Sequence, residues 1–251
     1  MIHFVGAGPG APDLITLRGA KLLSEADVII YAGSLVNPAL LDGKKDNCQV
    51  YNSASMTLEE VLSVMLEAVK NNYEVVRLHT GDPSLYGAIR EQMDQLDRFG
   101  VPYDVTPGVS SFCGAAAALK KEYTLPSVSQ SVIITRAEGR TPVPEREQLR
   151  DLAAHQATMV LFLSTGLLEK AEQELMAGGY APDTPAAIVY KATWPDEKVF
   201  HCTVSTLAET ARKNGIANTA LITIGHFLEG TYDRSKLYDP TFSHGCREAS
   251  K

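Results

Sequence analysis

Short apolar runs of strand length alternate with stretches of helical periodicity along most of the chain, and that alternation leaves few folds open. In the first half the strand candidates are IHFV, DVIIY, QVYN, EVVRL and YDVTP, with helical patterns at 16–25, 57–70, 86–98 and 109–119. Strands separated by helices of this length cross over rather than turn back, which predicts an α/β fold with a mainly parallel sheet. The 57–70 stretch, TLEEVLSVMLEAVK, sets leucine, valine and methionine at helical spacing against acids on the other face. Thr57, followed three residues later by Glu60, predicts a capping box at its start.

After the alanine-rich 109–119 stretch the texture changes, and KKEYTLPSVSQS reads as a connection. A second series follows: VIITR, a helix at 145–154, MVLFLS, a helix at 167–177, AAIVYKAT, KVFHCTV, a helix at 205–213 and ALITIG. Only WPDE separates AAIVYKAT from KVFHCTV, which predicts an antiparallel hairpin and hence a mixed sheet. The expectation is two α/β domains, 1–120 and 121–251, with the boundary between Lys120 and Gln130. From Tyr232 the sequence is polar and rich in turn residues.

Composition narrows the function. With 45% hydrophobic and 21% charged residues over 251, the chain can bury a real core. The 23 basic and 30 acidic residues give a net charge of −7, without the basic field a nucleic-acid binder needs. Cys48, Cys113, Cys202 and Cys246 are far apart and the six histidines are scattered, so neither disulfides nor a metal site are expected. The longest apolar runs are strand-length, far short of the roughly 20 residues of a membrane helix. A strand beginning by Ile2 leaves no room for a signal segment, so a cytoplasmic protein is expected.

Gly6, Gly8 and Ala11 fit the loose dinucleotide-binding pattern, but two features argue against it. Pro9 and Pro12 remove backbone donors that a pyrophosphate would need. The acid that should close the second strand and read a ribose is replaced by Ala32, Gly33 and Ser34, while Asp27 precedes that strand and reads as a turn residue. The glycines still imply tight turning or close backbone approach. Two further loops stand at strand ends, where open α/β sheets bind ligands: RLHTGDPSLYG (77–87) and TPGVSSFCGAAAA (106–118).

Taken in order, VGAGPGAPDLITLRGAKLLSEADVIIY, TGDPSLYG, TPGVSSF and NTALITIG resemble the tetrapyrrole (corrin and sirohaem) methyltransferases over nearly the whole chain. Within that family YAGSLVNPALL, TRAEGRTP and YDRSKLYDPTFSH are similar to the branch that methylates carbon 11 of precorrin-4, with or without cobalt, in cobalamin synthesis. The resemblance implies S-adenosylmethionine as cofactor and S-adenosylhomocysteine as product. It also implies two α/β domains with the cofactor in the cleft between them, and a homodimer. Carried over by position, Pro9, Thr80, Gly81, Asp82, Leu85, Ser110 and Ser111 would line the cofactor site, with Leu163 or Thr165, Tyr190, Ala192 and Ala220 from the second half.

Methyl transfer from a sulfonium is an in-line displacement for which a protein mostly supplies positioning. The Tyr-Asp-Arg and Gly-Lys-Arg segments of uroporphyrinogen methyltransferases read YAGS and VYNSAS here, so no general base is assigned. Asp82 is read either as an organiser of its loop or as a direct participant, and Tyr86 either as core or as site. For the carboxylates of a tetrapyrrole the candidates are Arg136 and Arg140, whose planar guanidinium can hold a carboxylate bidentately. Lys120 and Lys121 come second. The competing expectations are a family member acting at another precorrin ring carbon, and a non-catalytic ligand-binding module on the same fold.

Overall fold

A computed structural model describes residues 1–250, which form two compact units. The first comprises Met1–Ala115 with Lys191–Glu197, and the second comprises Ala116–Tyr190 with the chain from Lys198 onward. Where the sequence suggested 1–120 and 121–251, the division falls inside the alanine-rich helix, and the 191–197 turn joins the first unit. Packing explains why the helix start goes with the first unit: a Cβ on Gly114 would lie 2.9 Å from the ring of Pro9.

In the first unit β1 (Ile2–Gly6), β2 (Val28–Tyr31), β3 (Gln49–Asn52), β4 (Val75–His79) and β5 (Tyr103–Thr106) form one sheet. Their order is β3-β2-β4-β1-β5, and every neighbouring pair is parallel. Strands β1 and β4 lie inside the sheet and are buried at every position, as expected of a parallel sheet covered on both faces. Crossovers run through α1 (Leu17–Glu25), α2 (Leu58–Lys70) and α3 (Arg90–Phe99).

Helix α2 starts at the expected capping box. The Thr57 hydroxyl accepts from the Glu60 N–H at 3.2 Å, and the Glu60 carboxylate accepts from the Thr57 N–H at 2.7 Å. Its Val61, Leu62 and Met65 bury against Ile2, Phe4 and Ile30, while α1 sets Leu23 with Val5, Ile29 and Leu78 on the other face. Each such side chain contributes roughly 1.5–3 kcal/mol by leaving water. Helix α3 begins at Arg90 instead of residue 86. Tyr86 and Ala88 take left-handed backbone angles (φ +56° and +50°), which no α-helix accommodates, so the loop after β4 is longer than periodicity suggests.

In the second unit the strands are β6 (Val132–Arg136), β7 (Thr158–Phe162), β8 (Pro185–Tyr190), β9 (Lys198–Thr203) and β10 (Ala220–Ile224). Their order is β6-β7-β10-β8-β9, parallel between β6 and β7 and antiparallel elsewhere. The hairpin of β8 and β9 forms with Ile188 opposite Phe200. Three helices pack on this sheet, α5 (Leu149–Ala153), α6 (Leu168–Ala177) and α7 (Leu207–Lys213), after α4 (Ser111–Leu119) earlier in the chain. The helix expected at 145–154 is only the short α5 after a 3-10 turn, because Gln148 between them is extended (φ −59°, ψ 139°). The core joins Met159, Leu161, Ile188 and Ile222 to Leu175 and Leu207. Among the described residues no helix is long and apolar enough to cross a membrane.

Candidate active site

The strand order sets β1 between β4 and β5, so the loops leaving these three strands emerge side by side at one edge of the parallel sheet. They are joined backbone to backbone. Gly8 donates to the Gly81 carbonyl at 3.3 Å and accepts from the Gly81 N–H at 2.9 Å, and Ala7 donates to the His79 carbonyl at 2.7 Å. Nothing larger than glycine fits the centre. A Cβ on Gly6 would stand 2.5 Å from Gly108 Cα, and one on Gly108 would stand 2.2 Å from the Gly81 oxygen.

Asp82 completes this zipper. One carboxylate oxygen accepts from the Gly108 N–H at 2.8 Å, and the other accepts from the Ser84 N–H at 2.8 Å and from the Ser84 hydroxyl. Burial alone would raise this carboxyl. The bonds from the Ser84 hydroxyl, the Gly108 N–H and the Ser84 N–H outweigh burial and hold it below the usual carboxylate range. One oxygen ties this loop to the loop after β5 and the other closes the turn of its own loop, so in this geometry Asp82 organises the loops.

The loop after β1 is engaged from the other side. The Pro9 carbonyl accepts from the Trp194 indole N–H at 3.2 Å, the Gly10 carbonyl accepts from the Asn37 amide at 2.8 Å, and the Ala11 N–H donates to the Thr193 hydroxyl at 3.0 Å. An anion cradle needs free, converging N–H groups. Here Pro9 has none, and those of Gly8 and Ala11 are already bonded. Asp27 is engaged as well, with Lys45 at 2.7 Å and the Glu74 N–H at 2.9 Å. In this arrangement the N–H groups of Gly8 and Ala11 and the carboxylate of Asp27 already have partners within the protein.

Of the first unit's candidates, Pro9, Gly81 and Ser110 are buried, and Leu85 is half-buried at the end of the Asp82 turn. The Ser110 carbonyl accepts from the Cys113 and Gly114 N–H groups at 3.0 and 3.3 Å, so Ser110 sits just ahead of α4 and Ser111 opens it. The Thr80 hydroxyl is buried and has no hydrogen-bond partner among the described residues. Buried polar atoms are seldom left so, and this one is a ready contact for a ligand. Ala192 is buried within the 191–197 segment.

Beneath these loops lies a polar layer that the sequence did not single out. Arg77, 6% exposed, donates from Nε to Gln92 Oε1 at 3.1 Å and from a terminal nitrogen to the Ile30 carbonyl at 3.1 Å. Burial pushes its pKa down to about 10, which still leaves it cationic near neutrality. Burial, with Arg77 nearby, pushes His79 down to about 3, so its ring is neutral. The Gln92 amide also donates to the Ala88 carbonyl at 3.0 Å, which pins the left-handed segment after the Asp82 turn.

In the second unit the Thr165 hydroxyl donates to the Ala220 carbonyl at 3.1 Å, and Ala220 faces Tyr190 across β10 and β8. Three candidates are therefore gathered at one point. Leu163 differs from them: it is 65% exposed, in a left-handed conformation (φ +52°) just past β7. Arg136 donates to the carbonyls of Thr141 and Pro142 at 3.2 and 2.7 Å, tying down its own loop, while Arg140 stands exposed. Among the described residues no group of three or more His, Cys, Asp or Glu side chains is placed to hold a metal ion. Asn37, Thr193 and Trp194 were missed from sequence. The available signals were the chain's one tryptophan, placed in a hairpin turn, and the asparagine of YAGSLVNPALL.

Residues 1–208 match the model of the tetrapyrrole (corrin/porphyrin) methylases, and the chain belongs to that family. It is 56% identical over 251 residues to a cobalt-precorrin-4 C(11)-methyltransferase of Methanocaldococcus jannaschii, covering 100% of this chain and 97% of that one. Its fold matches the X-ray structure of a cobalt precorrin-4 methyltransferase of cobalamin biosynthesis with a TM-score of 0.89 at 50% identity, over 91% of this chain and 96% of that one. A uroporphyrin-III C-methyltransferase from Thermus thermophilus, complexed with S-adenosyl homocysteine, matches with a TM-score of 0.74 at 28% identity, over 91% and 93%.

Proposed function

We propose that this chain transfers a methyl group from S-adenosylmethionine to carbon 11 of precorrin-4 or cobalt-precorrin-4, releasing S-adenosylhomocysteine, and that it works as a cytoplasmic homodimer. The observation that carries the reading is the buried, unpartnered Thr80 hydroxyl among loops whose backbone and carboxylate groups are already paired. Such a surface suits an adenosyl ligand without phosphate, whose sulfonium or product thioether needs a few polar contacts and apolar walls, and suits a phosphate badly. Bound S-adenosylmethionine supplies an activated methyl on a sulfonium. The chain's own residues hold and orient: the Thr80 hydroxyl by a hydrogen bond, Pro9 and Leu85 by apolar contact, Ser110 and Ser111 at the start of α4. On the family likeness, Leu163, Thr165, Tyr190, Ala192 and Ala220 are proposed as further cofactor contacts. Holding two reactants in line can lower a barrier by roughly 7–11 kcal/mol, so no covalent nucleophile is required.

Of the two substrate forms the cobalt-loaded one is favoured, because the whole-length relative and the 50% identical structure are both cobalt-precorrin-4 enzymes. The test is incubation with S-adenosylmethionine and, in parallel, metal-free and cobalt-loaded precorrin-4. The expected outcome is a product heavier by one methylene unit, methylated at carbon 11, with an equal amount of S-adenosylhomocysteine. Methylation at another ring carbon, or binding of S-adenosylhomocysteine without turnover of either substrate, overturns the reading. Light scattering at working concentration tests the dimer.

A further inference from the structure

The 191–197 turn leaves β8 at Tyr190 and enters β9 at Lys198, yet it belongs to the first unit. It meets the glycine loop at three points. The Trp194 indole N–H reaches the Pro9 carbonyl at 3.2 Å, and the Thr193 hydroxyl takes the Ala11 N–H at 3.0 Å. The indole ring also lies where a side chain at residue 10 would be: a Cβ built on Gly10 stands 2.1 Å from the ring's Cδ1 and 2.3 Å from Nε1. Gly10 and Trp194 are therefore complementary in shape, and Gly10 is a glycine because the ring occupies that space.

The turn is itself held in an unusual form. Lys191 and Thr193 have left-handed backbone angles (φ +46° and +68°), which a non-glycine residue adopts at a cost. Compensation comes from the Glu197 carboxylate, which accepts from the Thr193 N–H at 2.6 Å, and from the Lys191–Asp196 ion pair at 2.7 Å. That conformation aims both Thr193 and Trp194 at the same short stretch of loop. With Asn37 on the Gly10 carbonyl and Gly81 on Gly8, side chains and backbone from other segments engage the loop at each residue from Gly8 to Ala11.

We propose that Thr193 and Trp194 are positioning residues for the cofactor loop, holding Pro9–Ala11 in the shape that receives the adenosyl ligand. The inference rests on the cofactor reading above. Neither residue needs to touch the reacting atoms. Their effect is to remove the loop's freedom before the ligand arrives, so that little ordering remains to oppose binding.

The experiment is calorimetric titration of the full chain with S-adenosylhomocysteine, for the parent and five variants. Thr193→Val deletes one hydrogen bond and keeps the shape, Trp194→Phe deletes the indole N–H together with part of the ring against Gly10, and each should weaken binding about fivefold to tenfold. Gly10→Ala should weaken it at least about tenfold, because the new methyl group meets the indole. The deciding variant is the double substitution Gly10→Ala with Trp194→Ala, read against Trp194→Ala alone. Removing the ring removes the collision, so the double variant should bind as well as the single one. A merely structural role would reduce the fraction of competent protein, lowering the stoichiometry while the dissociation constant of that fraction stays at the parent value. That pattern, or a fully additive loss in the double variant, overturns the proposal. A parent that binds no S-adenosylhomocysteine overturns the cofactor reading and the proposal with it, whereas a binding parent with unaffected variants overturns the positioning role alone.

Discussion

The two sheets gather their candidate residues by different means. In the first unit all five strands run the same way, so β1, β4 and β5 deliver their carboxyl ends, and the loops that follow, to one edge. The loops are then locked by glycine-to-glycine contact and by Asp82. In the second unit β10 runs antiparallel to both neighbours, and its first residue is brought opposite the last residue of β8. Thr165 is fastened there by a single hydroxyl-to-carbonyl bond. One set of residues depends on backbones with no room between them, the other on ordinary side-chain contacts with room to spare.

The largest effect should come from filling the space that the first arrangement lacks. Gly6→Ala places a methyl carbon 2.5 Å from Gly108 Cα and 2.6 Å from the Gly81 oxygen, both backbone atoms that cannot rotate away. It should destabilise the first unit by about 3 kcal/mol or more, seen as a fall of about 6 °C or more in its unfolding temperature. Gly166→Ala, beside Thr165 in the second unit, meets nothing within 4 Å and should change stability by no more than about 0.5 kcal/mol. Scanning calorimetry of both variants checks the contrast. Equal, small effects would show that the strand-end loops are not packed as tightly as their geometry states.

This difference also separates what the sequence disclosed from what it hid. Period and alternation give the order of strands and helices because they are local properties, and the strand-end rule then points to the loops 77–87 and 106–118, in which the family resemblance implies Thr80–Leu85 and Ser110–Ser111. Where a local rule meets a local exception it fails by a few residues, as at Tyr86 and Ala88, whose left-handed angles delay α3. The role of Asp82 could not be decided from sequence, because its partner Gly108 lies 26 residues away and a hydrogen bond leaves no mark on spacing. Thr193 and Trp194 are further out of reach, 182 and 185 residues from the atoms they hold. Leu163 and Thr165 are indistinguishable by position, yet one points its bulk to solvent and the other is buried on Ala220.

A middle-sized effect is expected at Asp82. Asp82→Asn keeps the shape but replaces one acceptor oxygen with a donor facing an N–H group, so S-adenosylhomocysteine should bind about tenfold or more weakly at neutral pH. In the second unit Thr165→Val loses a neutral bond only, and should weaken binding about fivefold or less. The difference at residue 82 should also fade with acid. The folded carboxyl lies below its ordinary value, so its stabilising contribution is full above the unfolded value near ~3.9 and is lost as pH falls through the folded one. Unfolding temperatures of parent and Asp82→Asn, separated at neutral pH, should therefore converge as the pH is lowered below that range. A gap that is unchanged in acid would mean that the carboxylate is not what joins the loops.

The smallest effect should appear at the arginines of TRAEGRTP, where both readings of a charged loop can be tested side by side. Arg136 already donates to the carbonyls of Thr141 and Pro142, so its guanidinium is engaged in shaping the loop, whereas Arg140 is exposed. A tetrapyrrole carrying several carboxylates needs cationic partners, and an exposed guanidinium offers them at little desolvation cost. Exposed pairs contribute only about 0.2–1 kcal/mol, so Arg140→Ala should raise the Michaelis constant for the tetrapyrrole by no more than about fivefold. Salt screens such pairs, and the difference from the parent should shrink between low and high ionic strength. Arg136→Ala should instead lower thermal stability slightly and leave the salt dependence of the tetrapyrrole constant as in the parent. Neither change should alter the affinity for S-adenosylhomocysteine, which the strand-end loops are proposed to receive. Steady-state kinetics at two salt concentrations decide the matter: if Arg140→Ala behaves like the parent in both, the arginine is a solvated loop charge and the substrate's carboxylates are held elsewhere.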